Sequence, residues 1–186
     1  IFTSDNGMNM GHHGVWGKGN ATFPMNMWDT SVKVPVIFSQ PGRLKENAVC
    51  DSMLSHYDVF PTLLDLIGIP NREKNLPGKS FANYLRGATA PANQDVIIYD
   101  EYGPVRMIRT AQYKYVHRYP HGPHEMYDLA SDPDEETNMI SNEAFSAQVT
   151  ELRARLNDWF SRYVNPHIDG AREAVTGKGQ LDRAGT

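Results

Sequence analysis

One stretch near the amino end constrains this chain most: Ser4-Asp5-Asn6-Gly7-Met8-Asn9-Met10-Gly11-His12-His13-Gly14-Val15-Trp16-Gly17-Lys18. It follows Ile1-Phe2-Thr3, which reads as the end of a buried strand. A strand giving way to a glycine-rich loop suits an open α/β sheet, where ligands bind outside the carboxyl ends of the strands. Asp5 and Asn6 offer adjacent hard oxygens for a calcium-like cation. Lys18 offers a point charge to an anion held beside that cation. The same residues also suit a plain turn, with Asx hydrogen bonds and glycines at positive φ. Both readings stand on the loop alone.

The 186 residues are enough for a medium-sized domain with a real core. Apolar residues make up 40% and charged ones 22%, the balance of an ordinary globular chain. A formal net charge of −4 argues against nucleic acid or an anionic membrane surface as a partner. The longest apolar runs, such as Val34 to Phe38, are too short to span a bilayer. The chain starts at Ile1, apparently inside a strand, so it reads as a piece of something longer, with any targeting segment upstream. The single cysteine, Cys50, allows no internal disulfide, and no basic neighbour in sequence marks it as reactive.

Residues 7–31 have little regular period, and such a length often marks a functional loop. Val34-Pro35-Val36-Ile37-Phe38 reads as a buried strand closed by Gln40-Pro41-Gly42. A helix is expected from Asp58, with Pro61 in its first turn and Gly68 as its stop. A second short helix is expected around Phe81 to Leu85. After Gln94 the texture changes to short β-type runs, at 96–99, 105–110, 113–117 and 126–129, which read as an antiparallel meander. The acidic stretch Asp132 to Glu136 reads as a solvated turn. Phe145, Val149, Leu152, Leu156, Trp159 and Tyr163 recur at three- and four-residue spacing, predicting one long helix on the sheet.

The opening loop also carries a resemblance. Asp-Asn-Gly, followed by a Gly-x-His-Gly-x-Trp pattern and a lysine thirteen residues after Asp5, resembles the metal- and sulfate-binding loop of the type I sulfatases, in the alkaline-phosphatase-like superfamily. Ser31-Val32-Lys33-Val34-Pro35 resembles that family's Ser-x-Arg-Val-Pro strand entry, with lysine where arginine is usual. Asp58-Val59-Phe60-Pro61-Thr62-Leu63-Leu64 resembles its Asp-x-x-Pro-Thr-Leu-Leu helix. Arg109 to Tyr115 and Met126-Tyr127-Asp128-Leu129 with Asp132-Pro133 resemble its carboxyl-terminal subdomain. The motifs stand in the expected order over roughly residues 1 to 160.

The resemblance implies an α/β fold: part of an alkaline-phosphatase-like sandwich over 1–93, a small antiparallel α+β subdomain over 94–165, and a polar tail over 166–186. It implies a calcium-dependent sulfuric ester hydrolase, with Asp5 and Asn6 as metal ligands and Lys18 on the sulfate group. His13 falls where many of these enzymes carry histidine; it either lines the site or packs the loop. The family's nucleophile is a formylglycine made within Cys/Ser-x-Pro/Ala-x-Arg, and this chain has no such motif. The implied parent therefore supplies it from a missing amino-terminal half, and this chain alone is expected to be inactive.

His117, Arg118 and His121, with His124 nearby, cluster at the end of an expected strand. They either meet an anionic or sugar-like part of the substrate or form a solvated loop. The expected substrate is a sulfated small molecule or glycan; choline, aryl and glycan sulfates all remain open. Two alternatives stand beside the sulfatase reading. One is a phosphodiesterase or phosphonate hydrolase of the same superfamily. The other is a non-catalytic calcium- or glycan-binding module.

Overall fold

The computed structural model describes residues 1–92, 94–100, 104–167, 169 and 171. The chain divides into two compact units. The first comprises Ile1–Thr3 and Pro35–Val96; the second comprises Ser4–Val34 and Ile97 onward. The change of texture near residue 94 lies two residues before Val96, where the first unit ends. The sequence boundary at 93, however, assigns the loop 4–34 to the first domain, whereas its contacts group it with the carboxyl-terminal sheet. The expected polar tail over 166–186 lies almost wholly outside the described residues.

In the second unit, β1 (Asn9–Met10) and β2 (Trp16–Gly17) form a short antiparallel hairpin, and α1 (Asp29–Val32) is a single turn. In the first unit, α2 (Val59–Ile67) and α3 (Ala82–Leu85) follow. Then come β3 (Val96–Tyr99), β4 (Val105–Arg109), β5 (Tyr113–Arg118) and β6 (Glu125–Asp128), an antiparallel sheet in the order β3-β4-β5-β6. The helix α4 (Ser146–Tyr163) completes the chain's regular structure among the described residues.

Alternation along the strands gives the sheet two apolar faces. Ile97, Ile108, Tyr115 and Met126 point to one side and pack against Leu152, Leu156 and Phe160 of α4. Each of those three helix residues contributes on the order of 1.5–3 kcal/mol by burial. Val105, Met107 and Val116 point to the other side and pack against Met27, with Met25 and Val32 beside it. The helix expected from the three- and four-residue spacing is therefore present and lies where the pattern put it. The irregular stretch 25–32 covers the opposite face, so this sheet is buried on both sides.

In the first unit, α2 enters through a capping box. The Ser55 backbone N–H donates to the Asp58 carboxylate at 2.8 Å, and the Tyr57 N–H donates to the Ser55 hydroxyl. Asp58, 1% exposed, also accepts from the Lys79 N–H at 2.7 Å and the Gln94 amide at 3.0 Å. Thr62 accepts the Phe81 N–H, so the segment before α3 is tied to α2. The helix ends at Gly68, whose φ of 75° is the left-handed conformation glycine adopts without strain.

Two strand expectations differ from the structure. Among the described residues, Ile1-Phe2-Thr3 and Val34 to Phe38 form no named strand, and one antiparallel bridge pairs Phe2 with Ile37. Both bridge residues are exposed, at 63% and 57%. Their apolar pattern is that of strands covered on both faces, and a single bridged pair supplies neither cover nor a ladder. Glu135 is the other difference. It is not solvated: its φ of 57° turns the side chain inward, and it is 4% exposed.

Candidate functional site

The loop folds back on itself because β1 and β2 pair Asn9 with Gly17 and Met10 with Trp16. The reversal between them uses left-handed backbone at Gly11, His13 and Gly14, with φ of 97°, 53° and 72°. A histidine at positive φ is uncommon, so its neighbouring glycines carry much of the turn. Doubling back returns Lys18 to Asn6 across twelve residues of chain. The Lys18 Nζ stands 3.4 Å from the Asn6 Oδ1, a long contact at an exposed site.

Asp5 and Asn6 are oriented locally. Asp5 accepts the Asn6 N–H on Oδ1 at 2.9 Å, and the Ser4 hydroxyl donates to the Asn6 carbonyl at 2.6 Å. The Asn6 side-chain NH2 donates to the Gly7 carbonyl at 2.7 Å, which aims its Oδ1 the other way, toward Lys18. The structure therefore places the Lys18 ammonium near the Asn6 amide oxygen, with the Asp5 carboxylate on the adjacent residue. The Asp5 and Asn6 side-chain oxygens are hard donors of the kind a calcium-like ion takes, and would supply two of its six to eight ligands. Among the described residues, no group of three His, Cys, Asp or Glu side chains is placed to hold a metal ion.

His13 sits elsewhere on the same turn. Its ring stacks on Trp28, with centroids 3.9 Å apart and planes 12° from parallel. Burial against the indole lowers its pKa, as does His12, while Glu136, Asp132 and Asp134 partly offset both. The imidazole is thus mainly neutral at pH 7, a state able to accept a proton or a hydrogen bond.

The histidine cluster resolves into two kinds of residue. His117 is 4% exposed; its Nδ1 meets the Tyr115 hydroxyl at 2.7 Å, and its ring stacks on His124 at 4.2 Å. Burial, then His124, Arg153 and Arg106, push its pKa down to about 4. Arg118 is 3% exposed. It pairs with Glu125 at 2.8 Å and donates to the Pro123 and Met25 carbonyls. Neither substrate contact nor a solvated loop describes these two: both side chains are engaged inside the sheet, because strand alternation turns them into its two packed layers. His121, on the turn beyond β5, is exposed.

Sequence reading missed the groups that carry the loop. Lys114, wholly buried, lies between Asp29 at 2.6 Å and Glu135 at 2.5 Å, and donates to the Met27 carbonyl. Arg109 pairs with Asp29 at 3.0 Å, and Glu135 accepts the Asp29 N–H. Burial alone raises the Asp29 pKa, but the Lys114 and Arg109 charges outweigh it and hold the carboxyl below its usual range. For Glu135 burial prevails over Lys114, and its pKa is raised. Together these groups fasten α1 to the sheet.

Comparison with known proteins shows the family of the chain. The family described as N-sulphoglucosamine sulphohydrolase, C-terminal, matches residues 11–162. A Delta 4,5-hexuronate-2-O-sulfatase of Bacteroides thetaiotaomicron is 30% identical over 171 residues, covering 87% of this chain and 34% of that protein. A solved 2-O GAG sulfatase superposes with a TM-score of 0.68 at 30% identity, over 89% of this chain and 36% of that one. A phosphonate monoester hydrolase of Agrobacterium radiobacter gives a TM-score of 0.71 at 26% identity, over 88% and 35%. The chain spans about a third of the length of the curated relatives it matches. Among the described residues, no helix is long and apolar enough to cross a membrane. The chain belongs to the sulphohydrolase carboxyl-terminal family, and corresponds to a C-terminal part of a sulfatase of the alkaline-phosphatase-like superfamily.

Proposed function

We propose that this chain supplies the cation- and sulfate-binding part of a sulfuric ester hydrolase acting on a sulfated glycan. The observation that carries the reading is the approach of Lys18 to Asn6 beside Asp5. A sulfate ester is attacked at sulfur, the sulfur–oxygen bond to the leaving group breaks, and negative charge grows on that oxygen. Positioning and electrostatics supply most of such catalysis, as in phosphoryl transfer.

In this reading the Lys18 ammonium binds a sulfate oxygen. Asp5 and Asn6 are the residues that would hold calcium, which polarises the bound group without redox chemistry. Having Asn6 in place of a second carboxylate lowers repulsion toward an already anionic substrate. His13, stacked on Trp28 elsewhere on the turn, holds the loop, and exposed His121 is a contact for the sugar. The nucleophile, a formylglycine, comes from a sequence outside this chain, with the rest of the parent protein; without it the chain is inactive. The identity to a hexuronate 2-O-sulfatase supports the glycan class.

The test compares aryl sulfate, sulfated disaccharide and phosphonate monoester turnover by the full-length protein and its Lys18→Ala variant. Sulfate ester turnover that falls by at least about a hundredfold in the variant is expected. Preference for the phosphonate monoester would move the assignment to that branch of the superfamily.

A further inference from the structure

Asn9 has no place in the proposed chemistry, yet it is wholly buried in the first strand of the hairpin, paired with the residue before Lys18. Its Nδ2 donates to the Gly17 carbonyl at 3.0 Å and to the Ser31 hydroxyl at 2.7 Å. Its Oδ1 accepts from the Thr30 hydroxyl at 2.5 Å. One side chain thus joins both strands of the hairpin to α1. Gly17 is the residue before Lys18. Ahead of β1, Gly7, the residue after Asn6, donates its N–H to the Ser31 carbonyl at 2.9 Å.

The far flank of Lys18 is tied to the same layer. The Ser31 hydroxyl donates to the Asn26 Oδ1 at 2.5 Å, and the Asn26 backbone N–H and side-chain NH2 both donate to the Gly19 carbonyl, at 3.0 and 3.1 Å. Gly17 and Gly19 are therefore both bonded to the group of side chains around Ser31. That group is fastened to the sheet through Asp29, Arg109 and Lys114.

From this lattice we infer that Asn9 is a positioning residue: it sets the Cα of Lys18 relative to Asn6, and so the width of the anion site. The inference rests on the reading of Lys18 as the sulfate ligand. Lysine is a flexible point charge, so its usefulness depends on where the backbone places it. A buried side chain with three bonds of 3.0 Å or less gives that placement in a way that a surface turn does not.

The test titrates the isotope-labelled full-length protein with inorganic sulfate, following amide shifts of the loop by NMR. Four versions are compared: unaltered, Asn9→Leu, Lys18→Ala and the double variant. Asn9→Leu keeps the branched heavy-atom outline, at a larger volume, and removes all three bonds. It is expected to weaken sulfate binding about five- to tenfold, with the β4–β5 amide shifts unchanged. In the Lys18→Ala background the same change is expected to have no further effect, because it acts through Lys18. A merely structural role would give the same loss in both backgrounds.

Thr30→Val, which removes one of the three bonds, gives a milder version of the test if Asn9→Leu fails to fold; about a two- to threefold loss is expected. Unchanged affinity in Asn9→Leu beside a weakened Lys18→Ala, or equal losses with and without Lys18, overturns the positioning role alone. An unaltered chain that does not bind sulfate, or a Lys18→Ala chain that binds it as well as the unaltered one, overturns the anion site and the positioning role with it.

Discussion

The Lys114 ammonium and the Glu135 carboxylate meet at 2.5 Å where the lysine side chain has no solvent exposure. Lys114 also meets Asp29, so one cation faces two carboxylates in a buried setting, and Arg109 supplies the second positive charge on Asp29. Removing the central charge leaves Glu135 buried without a counter-ion. Lys114→Met is expected to cost about 3–5 kcal/mol, and Lys114→Met with Glu135→Leu to recover a good part of it. Urea unfolding followed by the fluorescence of Trp159, on the helix packed over this sheet, measures both. A single variant as stable as the unaltered chain would show that the triad carries no stability.

Acid stability is expected to follow His117. Its pKa is lowered from the ordinary 6.5 to about 4, so the unfolded chain binds the proton more tightly. Its contribution to stability is therefore complete above pH 6.5, falls as the pH drops toward 4, and reaches on the order of 3 kcal/mol. Asp29, held low, loses its own contribution only as the pH falls below the carboxylate range. Glu135, held high, works the other way and is relieved by acid. Urea midpoints at half-unit pH steps test this: His117→Phe is expected to flatten the slope between pH 6.5 and 4 and leave the lower range alone.

How legible the chain is depends on which interaction decides each element. Helix α4 is readable because Leu152, Leu156 and Phe160 repeat at the helical period and a packed face determines their position. The meander is readable for the same reason, through alternation at Ile108 and Tyr115. Lys114 and Arg118 are not readable: inside a strand a charged residue signals a solvent face, and only the covering stretch 25–32 turns that face into an interior. The loop gave up Asp5, Asn6 and Lys18 because hard donors crowd a glycine-rich turn. It hid Asn9, since an asparagine with three buried bonds looks in sequence like any turn asparagine. Asp132 to Glu136 reads as acid in water, and one left-handed residue, Glu135, makes the difference.

Asp58 offers a separate test in the first unit. Its two carboxylate oxygens accept from Ser55, Lys79 and Gln94, so it both closes the turn that leads into α2 and fastens the segment before α3. Asp58→Ala leaves two backbone N–H groups without their acceptor and is expected to destabilise this region by about 2–4 kcal/mol. Amide hydrogen exchange resolves the effect: protection is expected to drop at Leu63 to Ile67 and at Phe81, and to persist at Tyr115 and Val116. Equal loss at all of these positions would mean that the two units unfold as one.

Gly7 gives the sharpest test of how the loop is seated. A Cβ there would fall on the Thr30 carbonyl oxygen and lie 2.9 Å from that of Lys33. Both are backbone atoms, so no side-chain rotation relieves the clash, and α1 and the loop must separate. Gly7→Ala is therefore expected to break the Gly7–Ser31 bond and release the Asn6 side of the anion site, while Lys114 still holds α1 to the sheet. Sulfate affinity should fall by about tenfold or more, with the unfolding midpoint of the sheet lowered by no more than about 1 kcal/mol in equivalent stability. Retained affinity would mean that Lys18 holds sulfate without Asn6 in register, and would remove the structural basis for pairing the two residues.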